Sequence, residues 1–341
     1  MKYRIDVLRN YVPVGEIPAE SCSVKYNSTA KIKRGASISG ALDNIKMFSN
    51  TEFSIVGDRI SPVLIDDEGN DHRMGVFMVV ASPRTVDSAR NTDALELYDE
   101  SYILDQSAFD TRHYWPAGTS YTTVFSQILT EAGINRQSIE PSSLALTIAR
   151  EFPVGDNMLQ TLNMLLDEIN YDQLHMDGNG YAMCTKKKEP LVPDFIYRDD
   201  ANSIIVPGMT DTVDIYGVPN VFIGLVSNPD QSVMTAKAEN HNLNSDLSIE
   251  RRGYKLTKIY KLDSVASQAE LDAYVNRLMS DSMMVTDRVS VSTAPEYDHD
   301  FRNAVQIDTK EIRGLYIETA WDLTFGTGQA MTHMLERRVF Q

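Results

Sequence analysis

The sequence predicts an α+β protein that is mainly β, with an α+β segment set between two β-rich ones. Three observations carry this. Strand-length runs with period-2 alternation occupy the first hundred and the last hundred and forty residues, and apolar stripes at helical spacing appear only after about residue 105. The composition, 42% hydrophobic and 23% charged, is that of an ordinary globular chain rather than a disordered one. A length of 341 residues suggests two or three domains.

In the first segment Tyr3, Ile5 and Val7 alternate with charged neighbours, as a strand with one wet face requires. Ile60 to Ile65 and Met74 to Ala81 flank Asp66-Asp67-Glu68-Gly69-Asn70-Asp71, a turn-rich link that predicts a hairpin. A further strand is expected over Ala94 to Tyr98. Short strands with polar turns and no long helix suggest a small antiparallel barrel or sandwich. In the middle segment Ser120 is placed to cap a helix whose Val124, Phe125, Ile128, Leu129 and Ala132 share a face, with Gly133 as its left-handed end. Asp156 is the expected N-cap of a second helix, Met158 to Ile169, with Leu159, Leu162, Leu165, Leu166 and Ile169 at helical spacing. Tyr171 to Met176 and Tyr181 to Thr185 flank Asp177-Gly178-Asn179-Gly180, a second hairpin. Lys186-Lys187-Lys188-Glu189-Pro190 then reads as a connector.

From residue 200, strands are expected over Ser203 to Val206 and Asn220 to Ser227, broken at Asn228-Pro229-Asp230. Ser267 is placed to cap a helix, Ala269 to Met283, lined by Leu271, Tyr274, Val275 and Leu278. Strands resume at Val285 to Thr293 and Ala304 to Thr309. The last strand puts Ile317, Thr319, Trp321, Leu323 and Phe325 on one face and Glu318 and Asp322 on the other.

Acidic residues number 48 against 32 basic ones, a net charge of −16 that is spread as −4, −6 and −6 over residues 1–105, 106–200 and 201–341. A free-standing nucleic-acid binder needs a basic footprint and is excluded on that ground. No run approaches the roughly 18 apolar residues of a membrane helix, and charges interrupt Met1 to Arg9 where a secretory signal would be continuous. Cys22 and Cys184 are too few for a disulfide framework or a four-cysteine zinc site, so a reduced cytosolic fold is expected.

Few patterns in the sequence point to catalysis. The histidines at 72, 113, 175, 241, 299 and 333 form no HExxH pair, so no catalytic metal set is expected. Asp298-His299-Asp300 is the densest potential ligand group, but alternate residues point apart and a solvated loop is the simpler reading. Asp66 to Asp71 lacks the ligand spacing of an EF-hand. Neither a GxxxxGK loop nor a GxSxG elbow occurs, and Gly326-Thr327-Gly328 opens no helix, so nucleotide cofactors and an elbow serine nucleophile have no support. Catalytic residues, cofactors and metals are all expected to be absent.

The later residues carry a resemblance. Val218-Pro219-Asn220-Val221, Val226-Ser227-Asn228-Pro229-Asp230, Ala238-Glu239-Asn240, Ser248-Ile249-Glu250-Arg251-Arg252-Gly253-Tyr254, the helix Ala266 to Tyr274, and Ile317 to Phe325 with Gly328 and Met331 to Arg338 resemble the second half of tail hub proteins of tailed phages. Thr119 to Cys184, with Asn170-Tyr171-Asp172-Gln173-Leu174-His175-Met176-Asp177, is similar to the middle of the same family. That family includes the baseplate hub of contractile-tailed phages and bacteriocins, the tail-associated proteins of long non-contractile tails and the spike base of type VI secretion. The resemblance implies two tube-like antiparallel β-barrel domains with an α+β domain between them: 1–105 as the first barrel, 106–200 as the middle domain, and 201–238 with 286–341 as the second barrel. An excursion over 239–285 would pack on the middle domain. It also implies a homotrimer forming a pseudo-sixfold ring, with a tail tube or distal tail protein above, a spike or tip protein below, and DNA or a tape-measure protein passing through the lumen.

On this view the protein is a virion or tail-particle component assembled in the bacterial cytoplasm, without membrane insertion and without enzymatic activity. An acidic lumen would let DNA slide, although the same acidity also serves solubility. Arg251 and Arg252, next to Tyr254, are candidates for inter-subunit contact, the alternative being an exposed strand-end pair. Trp115, between Tyr114 and Pro116, is expected as a surface aromatic at an interface, and Trp321 as barrel core. The rivals are a tail-associated cell-wall hydrolase, whose activity the family carries in an additional C-terminal domain for which this sequence leaves no residues; a type VI spike base with a fused needle; and a β-rich glycan-binding adhesin.

Overall fold

The computed structural model describes residues 2–40, 45–49, 51–86, 91–187, 192–213, 217–226, 233–262, 267–282, 284–326 and 328–340. Lys188-Glu189-Pro190 of the connector, Ser227 and the Asn228-Pro229-Asp230 break, Thr327, Ala266 and Met283 lie outside the described residues. Strands dominate, with five helices among the described residues, so the chain is α+β and mainly β as its patterning predicts. By packing it divides into two units, Met1–Gly208 with Val291–Met334, and Met209–Ser290 with Leu335–Gln341.

The first unit holds an antiparallel sheet whose successive neighbours are Arg313–Thr324, Ser21–Asn27, Arg34–Gly40, Asn91–Asp99, Phe77–Ala81, Arg59–Ile65, Lys2–Arg9, Val12–Glu16 and Lys46–Met47. Alternation builds it. In Ser21–Asn27 the inward residues are Cys22, Val24 and Tyr26, and the register Val24 to Leu323 and Val24 to Ala36 sets them against like-facing apolar residues. Residues 5–8 depart from alternation, with Ile5, Asp6, Val7 and Leu8 all buried beside an irregularity at Val7 and Leu8. The polar link closes a hairpin, but its second arm is Asp71–Arg73 rather than Met74 to Ala81, which meets Arg59–Ile65 only at Ile60 and Phe77; the Asp66 carboxylate accepts from the backbone N–H groups of Glu68 and Asn70 at 2.9 and 2.8 Å.

Helices Ser101–Gln106, Tyr121–Glu131 and Met158–Glu168 share one core, including Leu104, Phe125, Leu129, Leu162 and Leu166. Helix Met158–Glu168 starts at the expected residue, but its N-cap lies one residue later than expected. Asn157, not Asp156, accepts from the Gln160 N–H at 3.0 Å, because its backbone is extended while Met158 is already helical. Ser120 does stand at the N-cap of Tyr121–Glu131, but its hydroxyl meets Thr122 Oγ1 at 2.8 Å and caps no backbone donor. The Asp177 to Gly180 turn joins His175–Met176 to Ala182–Cys184, and Gly178 lies so close to the Arg73 carbonyl that a Cβ would sit 2.4 Å from it.

In the second unit Met234–Glu239, Val221–Val226 and Thr257–Leu262 form a sheet in that order, the first pair antiparallel and the second parallel. Helix Gln268–Ser282, within the 239–285 stretch marked in the sequence, packs Leu271 and Val275 on Phe222, Val226, Ala236 and Ala238. Gly224 permits that approach, since a Cβ there would lie 2.6 Å from a Val275 methyl. Strands Ile205–Val213, Met284–Thr293 and Met331–Phe340 are hydrogen-bonded neighbours in that order.

Candidate functional site

Buried polar and aromatic contacts gather on the loop 294–303, between strands Met284–Thr293 and Ala304–Asp308. Asp298 and Arg302 take left-handed backbone angles, φ 71° and 51°, which turn its side chains in opposing directions. The sequence correctly separates Asp298, His299 and Asp300 in direction. A solvated loop, however, is not what forms, because His299 is buried. Its ring stacks on Phe195 with centroids 3.8 Å apart and planes within 9°. Its Nδ1 lies 2.8 Å from one Glu318 oxygen and its Nε2 2.8 Å from the Tyr197 hydroxyl. The other Glu318 oxygen lies 2.6 Å from His333 Nδ1, and His333 Nε2 meets Thr293 Oγ1 at 2.9 Å. Both Glu318 and His333 are 0% exposed.

Glu318 was expected on the outer face with Asp322. Strand Arg313–Thr324 instead changes parity along its length: Tyr316 and Glu318 point inward in the first half, Trp321 and Leu323 in the second. The partner changes too. Ile317 is paired with Ala304, whereas Ala320 onward is paired with Ser21–Asn27. Burial by itself would raise the Glu318 carboxyl, but the hydrogen bonds from His299 and His333 outweigh it and hold the group below its ordinary range. His333 carried a legible signal, since it shares the inward parity of Met331 and Leu335. Glu318 carried none.

The opposite side of the loop grips the N-terminal sheet and the helical core. Asp300 Oδ1 accepts from the Arg34 guanidinium at 2.7 Å, and Arg34 also donates to the Met74 carbonyl at 2.8 Å. The Arg34 backbone N–H donates to Asp99, which in turn accepts from the Ser101 N–H. Tyr297 stacks on His72 at 3.5 Å and Phe301 on His175 at 4.1 Å. Burial, chiefly, and then Arg34 hold His175 below its ordinary 6.5, while Asp300, Asp177 and a hydrogen bond with the Gln173 carbonyl act against them. The unfolded chain therefore takes up a proton that the folded one resists, and stability present above that value is lost as pH falls through it. His175→Asn is expected to flatten the dependence of melting temperature on pH between about 7 and 5. An unchanged slope by calorimetry would assign the acid lability to other groups.

Trp115 is buried against Phe109 and Phe152, and its Nε1–H donates to Gln127 at 2.7 Å. It is core, because strand His113–Trp115 pairs with Arg150–Phe152 and turns the indole inward while Tyr114 faces out. Arg251 and Arg252 close a short helix, Ile249–Arg252, rather than a strand; Ser248 caps its start and Gly253, φ 73°, its end. Arg251 pairs with Asp246 at 2.9 Å, Arg252 donates to the Val218 carbonyl at 2.6 Å, and Tyr254 is half exposed. Cys22 and Cys184 are buried, which pushes both thiols up to about 12 and leaves no nucleophile at neutral pH.

No protein-family model and no curated protein sequence matches the chain. Solved structures do. A tail protein from Neisseria meningitidis superposes with a TM-score of 0.66 at 9% identity, covering 99% of this chain and 97% of the other. The 43 kDa tail protein of prophage MuSo2 from Shewanella oneidensis gives 0.64 at 10%, covering 97% and 98%. This chain has the fold of phage tail proteins. The likeness extends to an Escherichia coli type VI secretion component described as similar to the T4 tail proteins gp27 and gp5, at a TM-score of 0.50 and 8% identity, over 98% of this chain and 76% of that one. At such identities the likeness lies in the backbone path.

Proposed function

We propose that the protein is a structural, non-enzymatic tail hub: a homotrimer whose pseudo-sixfold ring joins a sixfold tail tube, or a distal tail protein, to a threefold spike or tip. The observation that carries this reading is the near end-to-end likeness to two phage tail proteins. Residues 1–105, and 201–238 with 286–341, are the two tube-like barrels in this reading, flanking 106–200. Pairing of Arg313–Thr324 with Ser21–Asn27 joins the two barrel segments in one sheet, as a ring of repeated tube-like domains needs. Arg251 and Tyr254, both exposed, are the inter-subunit candidates left on the surface. The net charge of −16 suits a lumen through which DNA or a tape-measure protein passes without being held. No described helix is long and apolar enough to cross a membrane, in keeping with a place in the tail particle after assembly in the host cytoplasm.

Light scattering of the purified protein is expected to give a mass near three times 38.3 kDa, and negative-stain images an open threefold ring. A monomer that stays single when mixed with its tube and spike partners, and that cleaves or binds cell-wall glycan, would overturn the reading.

A further inference from the structure

The cluster His299, Glu318 and His333 has the form of a ligand set. Among the described residues it is the group of histidine and carboxylate side chains whose donor atoms all lie within 4.8 Å of one another with every member buried. The two imidazoles address opposite oxygens of one carboxylate through Nδ1, at 2.8 and 2.6 Å. Each ring's remaining nitrogen meets a hydroxyl, Tyr197 for His299 and Thr293 for His333. Metal-bound histidines are built this way, with one nitrogen on the ion and the other fixed by an outer hydrogen bond that orients the ring.

Without an ion the same contacts are met by protons: a neutral His333 donates from Nδ1 to Glu318 at 2.6 Å and accepts at Nε2 from the Thr293 hydroxyl at 2.9 Å, whose Oγ1 also lies 2.8 Å from the Ala294 carbonyl. Proton and ion are therefore the two occupants that the experiment must separate.

We propose that His299, Glu318 and His333 hold a divalent first-row transition ion, with zinc the first candidate, in a structural rather than catalytic site. Two imidazoles and one carboxylate form a donor set suited to zinc, iron or nickel, and one ion satisfies all three groups where a single proton satisfies one pair. With exposures of 2%, 0% and 0%, the site has no face open to a substrate. The ion would tie loop 294–303 to strands Arg313–Thr324 and Met331–Phe340. The outer hydroxyls bring in Phe195–Arg198 and Met284–Thr293, so metal binding would be linked directly to folding. The inference stands independently of the hub reading.

The test is metal analysis of the full chain, purified without a metal-affinity step, followed by melting with and without Zn²⁺. The expected result is about one ion per chain, a melting temperature that falls after chelation, and recovery on adding Zn²⁺ alone. Glu318→Gln and His333→Asn should abolish the Zn²⁺-dependent shift. His241→Ala should keep it, because His241, with Glu250 and Glu239, forms an exposed pairing elsewhere. Wild-type protein with less than about a tenth of an ion per chain, melting identically with and without a roughly tenfold excess of Zn²⁺, would overturn the proposal in favour of the proton. That measurement needs no variant to fold. Loss of the shift in His241→Ala would also overturn it, by moving the binding to the surface.

Discussion

Arg34→Ala is expected to destabilise the first unit by about 2–4 kcal/mol, from the lost packing of a buried side chain and an unmet backbone acceptor, since its ion-pair partner Asp300 is partly exposed and regains water. Arg34 is 2% exposed. Its guanidinium joins Asp300 of the loop to the Met74 carbonyl of the N-terminal sheet, and lies over the Trp321 ring at 5.4 Å. Truncation leaves the Met74 carbonyl without its donor and opens a void beside the indole, so the loss combines an unmet acceptor with a cavity. Urea unfolding followed by tryptophan fluorescence reads it as a lower midpoint. Arg34→Lys should recover only part of the loss, because an ammonium cannot serve two diverging acceptors and stack on a ring as a planar fork does. A variant within about 0.5 kcal/mol of wild type would show that the loop is held without this arginine.

Trp321→Ala is expected to cost about 3–5 kcal/mol, the range for emptying a large aromatic from a core. The indole is 1% exposed and packs beside Tyr26 with centroids 6.0 Å apart, where Arg313–Thr324 meets Ser21–Asn27. Since Arg34 and Trp321 touch, the double variant should cost less than the two single losses combined, by about 0.5–3 kcal/mol. Far-UV circular dichroism is the suitable probe once this tryptophan is gone. Additive losses would mean that the cation and the ring contribute separately.

Much of the fold was legible because local patterns agreed with it. Helix Met158–Glu168 buries Leu159, Leu162, Leu165 and Leu166, the residues its spacing nominates. Cys22, Val24 and Tyr26 alternate inward as their strand requires, and the two glycine-bearing turns close hairpins where polar runs mark them. Thr257–Leu262 had no such signal. It is a parallel strand whose residues, Ile259 among them, are largely exposed, so no apolar face repeats along it. Trp115 was misplaced because three consecutive aromatic residues, His113, Tyr114 and Trp115, read alike until pairing with Arg150–Phe152 decides which of them turns inward.

The candidate cluster divides along the same line. Period-2 patterning in the sequence alone determined that Trp321, Leu323 and Phe325 face a core, and turn chemistry that Asp66 to Asp71 and Asp177 to Gly180 reverse the chain. Only the tertiary structure decided that Glu318 faces inward, because the strand exchanges one partner for another between Ile317 and Ala320 and its inward parity changes with the exchange. The same holds for His299 and Arg34. Their partners lie 19 and 266 residues away along the chain, and no local rule reaches that far. Periodicity reports which residues share a face. Which faces meet, and so which charged groups are taken out of water together, follows from long-range pairing that burial and hydrogen bonding select only once the whole chain is in place.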